Sequence, residues 1–121
     1  MLNRLVIAAA LLSAVLLALS YSLPAHAHTM DRRTAANEGW LALSDWADEH
    51  EHWDEYVSDI DLTRRDCFRD TRHQWECIGG VDFSNTEESY LDRFCTATVR
   101  VRYASRRSWR IRTRVFKVTC F

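Results

Sequence analysis

Residues 75–83 read Trp75-Glu76-Cys77-Ile78-Gly79-Gly80-Val81-Asp82-Phe83. Trp75, Cys77, Gly79, Val81 and Phe83 form one set, and a set that includes the charged Glu76 and Asp82 falls between them. A period of two places the two sets on opposite faces of a β-strand, with the first set buried. The pattern recurs downstream. Cys95, Ala97, Val99, Val101 and Tyr103 alternate in the same way, and Trp109 and Ile111 continue it between arginines. Four strands are expected, over about 61–69, 73–83, 91–104 and 109–121. Breaks fall at Asp70-Thr71-Arg72, at Ser84 to Ser89 and at Ser105 to Ser108. Connections this short require an antiparallel meander.

The cysteines give the meander a register. Centring the first hairpin on Arg72 sets Cys67 opposite Cys77. Centring the second on Thr86 sets Cys77 beside Cys95. Centring the third on Arg107 pairs Tyr103 with Ile111 and Val101 with Thr113. One extra residue near Arg114-Val115, a β-bulge, then turns Phe116, Val118 and Cys120 inward and pairs Cys95 with Cys120. The four cysteines become one row across the sheet. Adjacent strands lie about 4.8 Å apart, so a bridge that skips a strand spans about 9.6 Å, beyond the reach of about 7 Å between bridged Cα atoms. Only Cys67–Cys77 with Cys95–Cys120 joins neighbours throughout. Loop entropy assigns these bridges roughly 3 and 3.5 kcal/mol. Zinc knuckles space their cysteines two to four residues apart, unlike Cys67, Cys77, Cys95 and Cys120.

Upstream the period changes. Leu43, Trp46, His50, Trp53, Val57 and Ile60 recur at steps of three and four, which predicts a helix over about 40–58, starting as early as Asp31. Its tryptophan-rich stripe is expected to pack on the cysteine face of the sheet, with Trp75, Val81, Phe83, Val99, Val101, Tyr103, Trp109, Ile111, Phe116 and Val118. Gly79 and Gly80 let the sheet curl around it.

Met1 to Arg4, the apolar run Leu5 to Leu19, Pro24 and then Ala25-His26-Ala27 follow the order of a secretory signal peptide, with cleavage expected after Ala27. An uncleaved segment is the one route to a membrane. The expected organisation is a signal peptide over 1–27, an N-terminal segment over 28–39 and a single α+β domain over 40–121. The location is therefore secreted or otherwise extracytoplasmic, where an even number of cysteines forms disulfides. The chain has 121 residues, a formal net charge of −1 and a pI near 6.5. These exclude two domains, a general nucleic-acid binder and a disordered chain. The charge is unevenly spread: residues 28–61 carry ten acids against Arg32 and Arg33, and residues 62–121 carry thirteen bases against seven acids.

One N-terminal helix on a four-stranded antiparallel meander, with two disulfides, resembles the cystatin-like grip. It is also similar to many small secreted bacterial proteins with paired cysteines. The likeness covers about 40–121 as a pattern. The cystatin inhibitory signature Q-x-V-x-G corresponds here to Gln74-Trp75-Glu76-Cys77-Ile78-Gly79. It is one residue longer and contains a cysteine, which argues against protease inhibition through that motif.

The outer face carries the candidate binding surface. The same register aligns Ile78, Phe94 and Phe121, with Phe68 beside them, and crowds Arg100, Arg102, Arg110 and Arg112 at the other end. Residues 28–39 are a possible cover for the phenylalanines. Contiguous exposed apolar area otherwise marks a partner surface, to which guanidinium groups add carboxylate or phosphate recognition. His50-Glu51-His52 does not make a metal site, because positions two apart diverge on a helix. No catalytic signature, cofactor motif or free cysteine nucleophile is present in the sequence. The expected function is a small exported non-catalytic binding module for a protein or an anionic envelope polymer. Inhibition of a secreted hydrolase and a pocket-bearing carrier or enzyme are the alternatives.

Overall fold

The structure, a computed structural model, describes residues 29–105 and 107–121. The expected signal peptide over 1–27 and the expected cleavage after Ala27 fall outside the described residues. Helix α1 spans Arg32–His50 and is followed by strands β1 (Glu55–Asp61), β2 (Cys67–Thr71), β3 (Gln74–Asn85), β4 (Arg93–Tyr103) and β5 (Ile111–Cys120). Asp31 caps α1 by accepting a hydrogen bond from the Thr34 backbone N–H at 2.7 Å.

The sheet has five strands rather than the expected four. Its order is β1-β3-β4-β5, and β2 also pairs with β3. Both β1 and β2 run antiparallel to β3, with Asp61 opposite Gly80 and Cys67 opposite Cys77. They therefore divide one edge of the long β3 between them. The lane breaks at Leu62, which is buried, and at a short 3-10 turn, Arg64–Asp66, closed by a capping box between Thr63 and Asp66.

The helix ends at His50 instead of reaching residue 58. Glu51 already has extended backbone angles, and the His50 carbonyl accepts a hydrogen bond from Arg93 Nη2 at 3.0 Å. Trp53 is 90% exposed in the turn beyond. Val57 and Ile60 belong to β1 and pack on the core. Their helix-like spacing of three comes from a bulge between Val57 and Asp59, which keeps two strand residues three apart on one face.

The helix face against the sheet is small rather than tryptophan-rich: Ala35, Ala36, Gly39, Leu43 and Ala47 are buried, Trp46 is partly buried, and Trp40 is exposed. Gly79 makes this close approach possible. A methyl group added there would stand 2.6 Å from Leu43 Cδ2 and 3.0 Å from the Asp61 carbonyl oxygen. Met30 is fully buried, and its carbonyl accepts hydrogen bonds from Trp75 Nε1 at 3.0 Å and Arg69 Nη2 at 3.2 Å. The described part of the N-terminal segment is thus docked on the helix side of the sheet, away from the outer face.

Both disulfides form as expected, Cys67–Cys77 and Cys95–Cys120. They do not share a row. Cys77 faces Val99, and Cys95 faces Val81, so the bridges are offset by four residues along β3. The third hairpin has the expected register, with Tyr103 opposite Ile111 and Val101 opposite Thr113. Its bulge lies later than expected, opposite Ala97, between Phe116 and Thr119. Lys117 takes a φ of 51° there, the left-handed geometry common at bulges. Val115 therefore meets Val99 on the core side, and Phe116 sits opposite Thr98 on the outer face. Val118 is 38% exposed and Trp109 is 69% exposed. The Trp109 ring rests edge-on against Tyr103 at 5.9 Å.

Candidate binding surface

The outer face follows from the register. Successive rows across β3, β4 and β5 read Gln74, Arg102 and Arg112; Glu76, Arg100 and Arg114; then Ile78, Thr98 and Phe116. Gly80, Thr96 and Thr119 come next, followed by Asp82, Phe94 and Phe121. Arg102 stands directly opposite Arg112, and Arg100 opposite Arg114. Like charges placed so are unfavourable within a sheet. One carboxylate enters the group: Glu76 accepts a hydrogen bond from Arg100 Nη2 at 3.1 Å. The Arg100 guanidinium also lies over the Phe116 ring at 4.9 Å. Its Nε is buried without a hydrogen-bond partner among the described residues.

The arginines line an open cleft of about 360 Å³ together with Thr113. Three expected residues, Arg100, Arg102 and Arg112, meet there. Arg110 does not line the cleft; it lies before β5, where its carbonyl accepts the Ala104 N–H. Arg114 takes its place. Extending the third hairpin's register one further pair, without an early bulge, would have identified it.

The expected apolar row is divided. Phe94 and Phe121 exchange backbone hydrogen bonds at 2.7 and 3.2 Å, but Ile78 is four residues away along β3, beside Thr98. Phe68 sits beside Glu76. All four are exposed, Phe121 most of all. The Phe94 ring lies across Gly80, where an added methyl group would come within 2.9 Å of it. Near Phe94 and Phe121, a second groove of about 340 Å³ includes Ser58, Asp82, Ser84 and Asp92.

Sequence reasoning missed a charge cluster at the other side of the sheet. Glu55 is buried and forms a two-pronged pair with Arg93, at 2.9 and 3.1 Å. It also accepts the His52 backbone N–H at 3.1 Å. The Arg93 hydrogen bonds hold the Glu55 carboxyl below its ordinary value, against the opposing effect of burial. Arg93 further stacks on Phe83 at 4.2 Å and lies within 3.7 Å of both sulfurs of Cys95–Cys120. This cluster fastens the helix end to the sheet. The histidines are similarly engaged: His50 Nδ1 donates to the Trp46 carbonyl at 2.7 Å, and His52 pairs with Glu55 at 3.2 Å. Among the described residues no group of three or more His, Cys, Asp or Glu is gathered to hold a metal.

The two disulfides are consistent with an extracytoplasmic location, and no helix among the described residues is long and apolar enough to cross a membrane. Comparison with protein-family models, curated proteins and solved structures found no match to this chain.

Proposed function

We propose that this chain is a small exported, non-catalytic binding module that takes an acidic partner on the arginine cleft. The observation that carries the reading is the pair of opposed arginine rows, with Glu76 as the one carboxylate ion-paired to them among the described residues. Such an arrangement costs the isolated sheet stability, and an incoming anion removes that cost. Guanidinium forks match carboxylates and phosphates in two-pronged geometry. An acidic protein surface and an anionic envelope polymer both present such groups. Export is proposed from the signal segment with cleavage after Ala27. The cystatin-like likeness remains one of architecture. Within the stretch that corresponds to the inhibitory signature, Gln74, Trp75, Glu76 and Cys77 are paired with both β2 and β4.

Titration of labelled poly-L-glutamate with the oxidised protein tests the reading by fluorescence anisotropy. Binding should weaken as salt rises, and Arg102→Glu should abolish it. Failure of the wild type to bind, or equal binding by the variant, removes the cleft from the function.

A further inference from the structure

We infer that a second copy of this chain is the acidic partner, docked outer face to outer face about a two-fold axis. The inference rests on the reading that the cleft takes an acidic partner, and names that partner. The outer face carries a second like-charge pair of opposite sign. Asp59 on β1 stands directly opposite Asp82 on β3, and Asp61 follows opposite Gly80. All three are exposed. None forms an ion pair with another described residue.

The two clusters occupy diagonal corners. The arginines lie on β4 and β5 at the Gln74 end of β3, and the aspartates on β1 and β3 at the Asp82 end. Strand spacing and rise separate them by about 20 Å. Ile78 and Thr98 lie midway. A two-fold axis in the plane of the interface, through Ile78 and Thr98 and across that diagonal, superposes each arginine corner on the other copy's aspartate corner. It does so twice, as an isologous interface requires. The repulsive pairs at both corners are then relieved by one contact. Guanidinium groups reaching into the groove beside Asp82 also meet the Phe94 ring, a favourable cation–π arrangement.

Apolar contact is available near the axis. Ile78 is 54% exposed and Phe68 58% exposed, with Phe116 beside Thr98. The sheet's outer face offers a footprint of about 600 Å² per copy. Two copies bury about 1,200 Å², at the lower end of the range for specific, stable interfaces.

Analytical ultracentrifugation of the oxidised protein, expressed from the full chain, tests the dimer by charge swapping. The wild type should sediment as a dimer at low salt. Arg102→Glu/Arg112→Glu and Asp59→Arg/Asp82→Arg should each sediment as monomers. An equimolar mixture of the two should sediment as a dimer again, because both corners become complementary. Ile78→Arg should be monomeric by an independent route. Circular dichroism establishes that each variant is folded, and poly-L-glutamate should dissociate the wild-type dimer. A monomeric wild type, dimeric charge variants or a mixture that stays monomeric overturns the inference. If a monomeric wild type still binds poly-L-glutamate through Arg102, only the self-association falls; if it binds none, the cleft reading falls too.

Discussion

On the inner side of the sheet a buried carboxylate, Glu55, meets Arg93 through two hydrogen bonds, and the arginine's remaining reach goes to a helix carbonyl, a ring and a disulfide. On the outer side of the same strands, arginine faces arginine and aspartate faces aspartate. The inner arrangement is what folding alone selects, since an unpaired charge there would be costly. The outer arrangement is tolerated because water and salt screen it, and in the proposed reading a partner makes it favourable. The inner face carries stability; recognition on the outer face is the role we propose for it.

The largest effect that sharpens this contrast is expected at Arg93. Arg93→Ala leaves Glu55 buried without its counter-charge and should cost about 4 kcal/mol in chemical denaturation. Removing the neighbouring bridge with Cys95→Ala/Cys120→Ala should cost about 3.5 kcal/mol. Because Arg93 touches both sulfurs, the two losses should not add. The pair also sets a pH dependence. The native Glu55 value lies below the unfolded one, so its contribution is present above about pH 4.5, the ordinary value for such a group, and is lost as pH falls through the depressed native value. Wild type should therefore exceed Glu55→Gln in stability at neutral pH, and the gap should close on acidification. A gap that stays constant with pH would mean that the ion pair does not fasten the inner face.

Much of this inner face was legible in the sequence, and the reasons for the failures are local. The alternation over 75–83 identified a strand because one face must be buried, and cross-strand neighbours fixed both disulfides. The second hairpin was misplaced by four residues because its loop is organised by polar contacts that hydrophobic patterning does not encode. Asn85 Oδ1 accepts the Glu87 and Glu88 N–H groups, and Asp92 Oδ1 accepts the Asn85 N–H. A four-residue slip preserves which face each side chain takes, so the inner sets of β3 and β4 survived it, whereas the misplaced bulge put Phe116 of β5 on the wrong side and buried Val118, which is exposed. The aspartate corner was lost, because β1 was read as helix. The bulge at Ser58 gave Val57 and Ile60 a spacing of three, which a helix also has. Arg93 was invisible for another reason: its partners are 38 and 43 residues away in sequence.

The glycines provide a test of intermediate size. Gly79→Ala forces a methyl group into Leu43 and the Asp61 carbonyl and should cost about 2 kcal/mol through overpacking. Gly39→Ala finds its nearest atoms at 3.5 Å, ordinary contact, within a helix. It should stabilise by about 0.5 kcal/mol through helix propensity. Equal effects at the two positions would show that the helix does not sit as close to β3 as described.

The smallest effect bears most directly on the outer face. Arg114→Gln removes one of two directly opposed arginines and leaves Arg100 paired with Glu76. At dilutions that dissociate the proposed dimer, it should raise stability by about 0.5 kcal/mol, and the gain should shrink as salt is added. The same substitution should weaken poly-L-glutamate binding several-fold. Stability and binding moving in opposite directions is the signature of a side chain retained for recognition at the expense of the fold. If urea denaturation instead shows Arg114→Gln to be less stable, its stem is part of what holds β5 in place, and the outer face follows the same rule as the inner one.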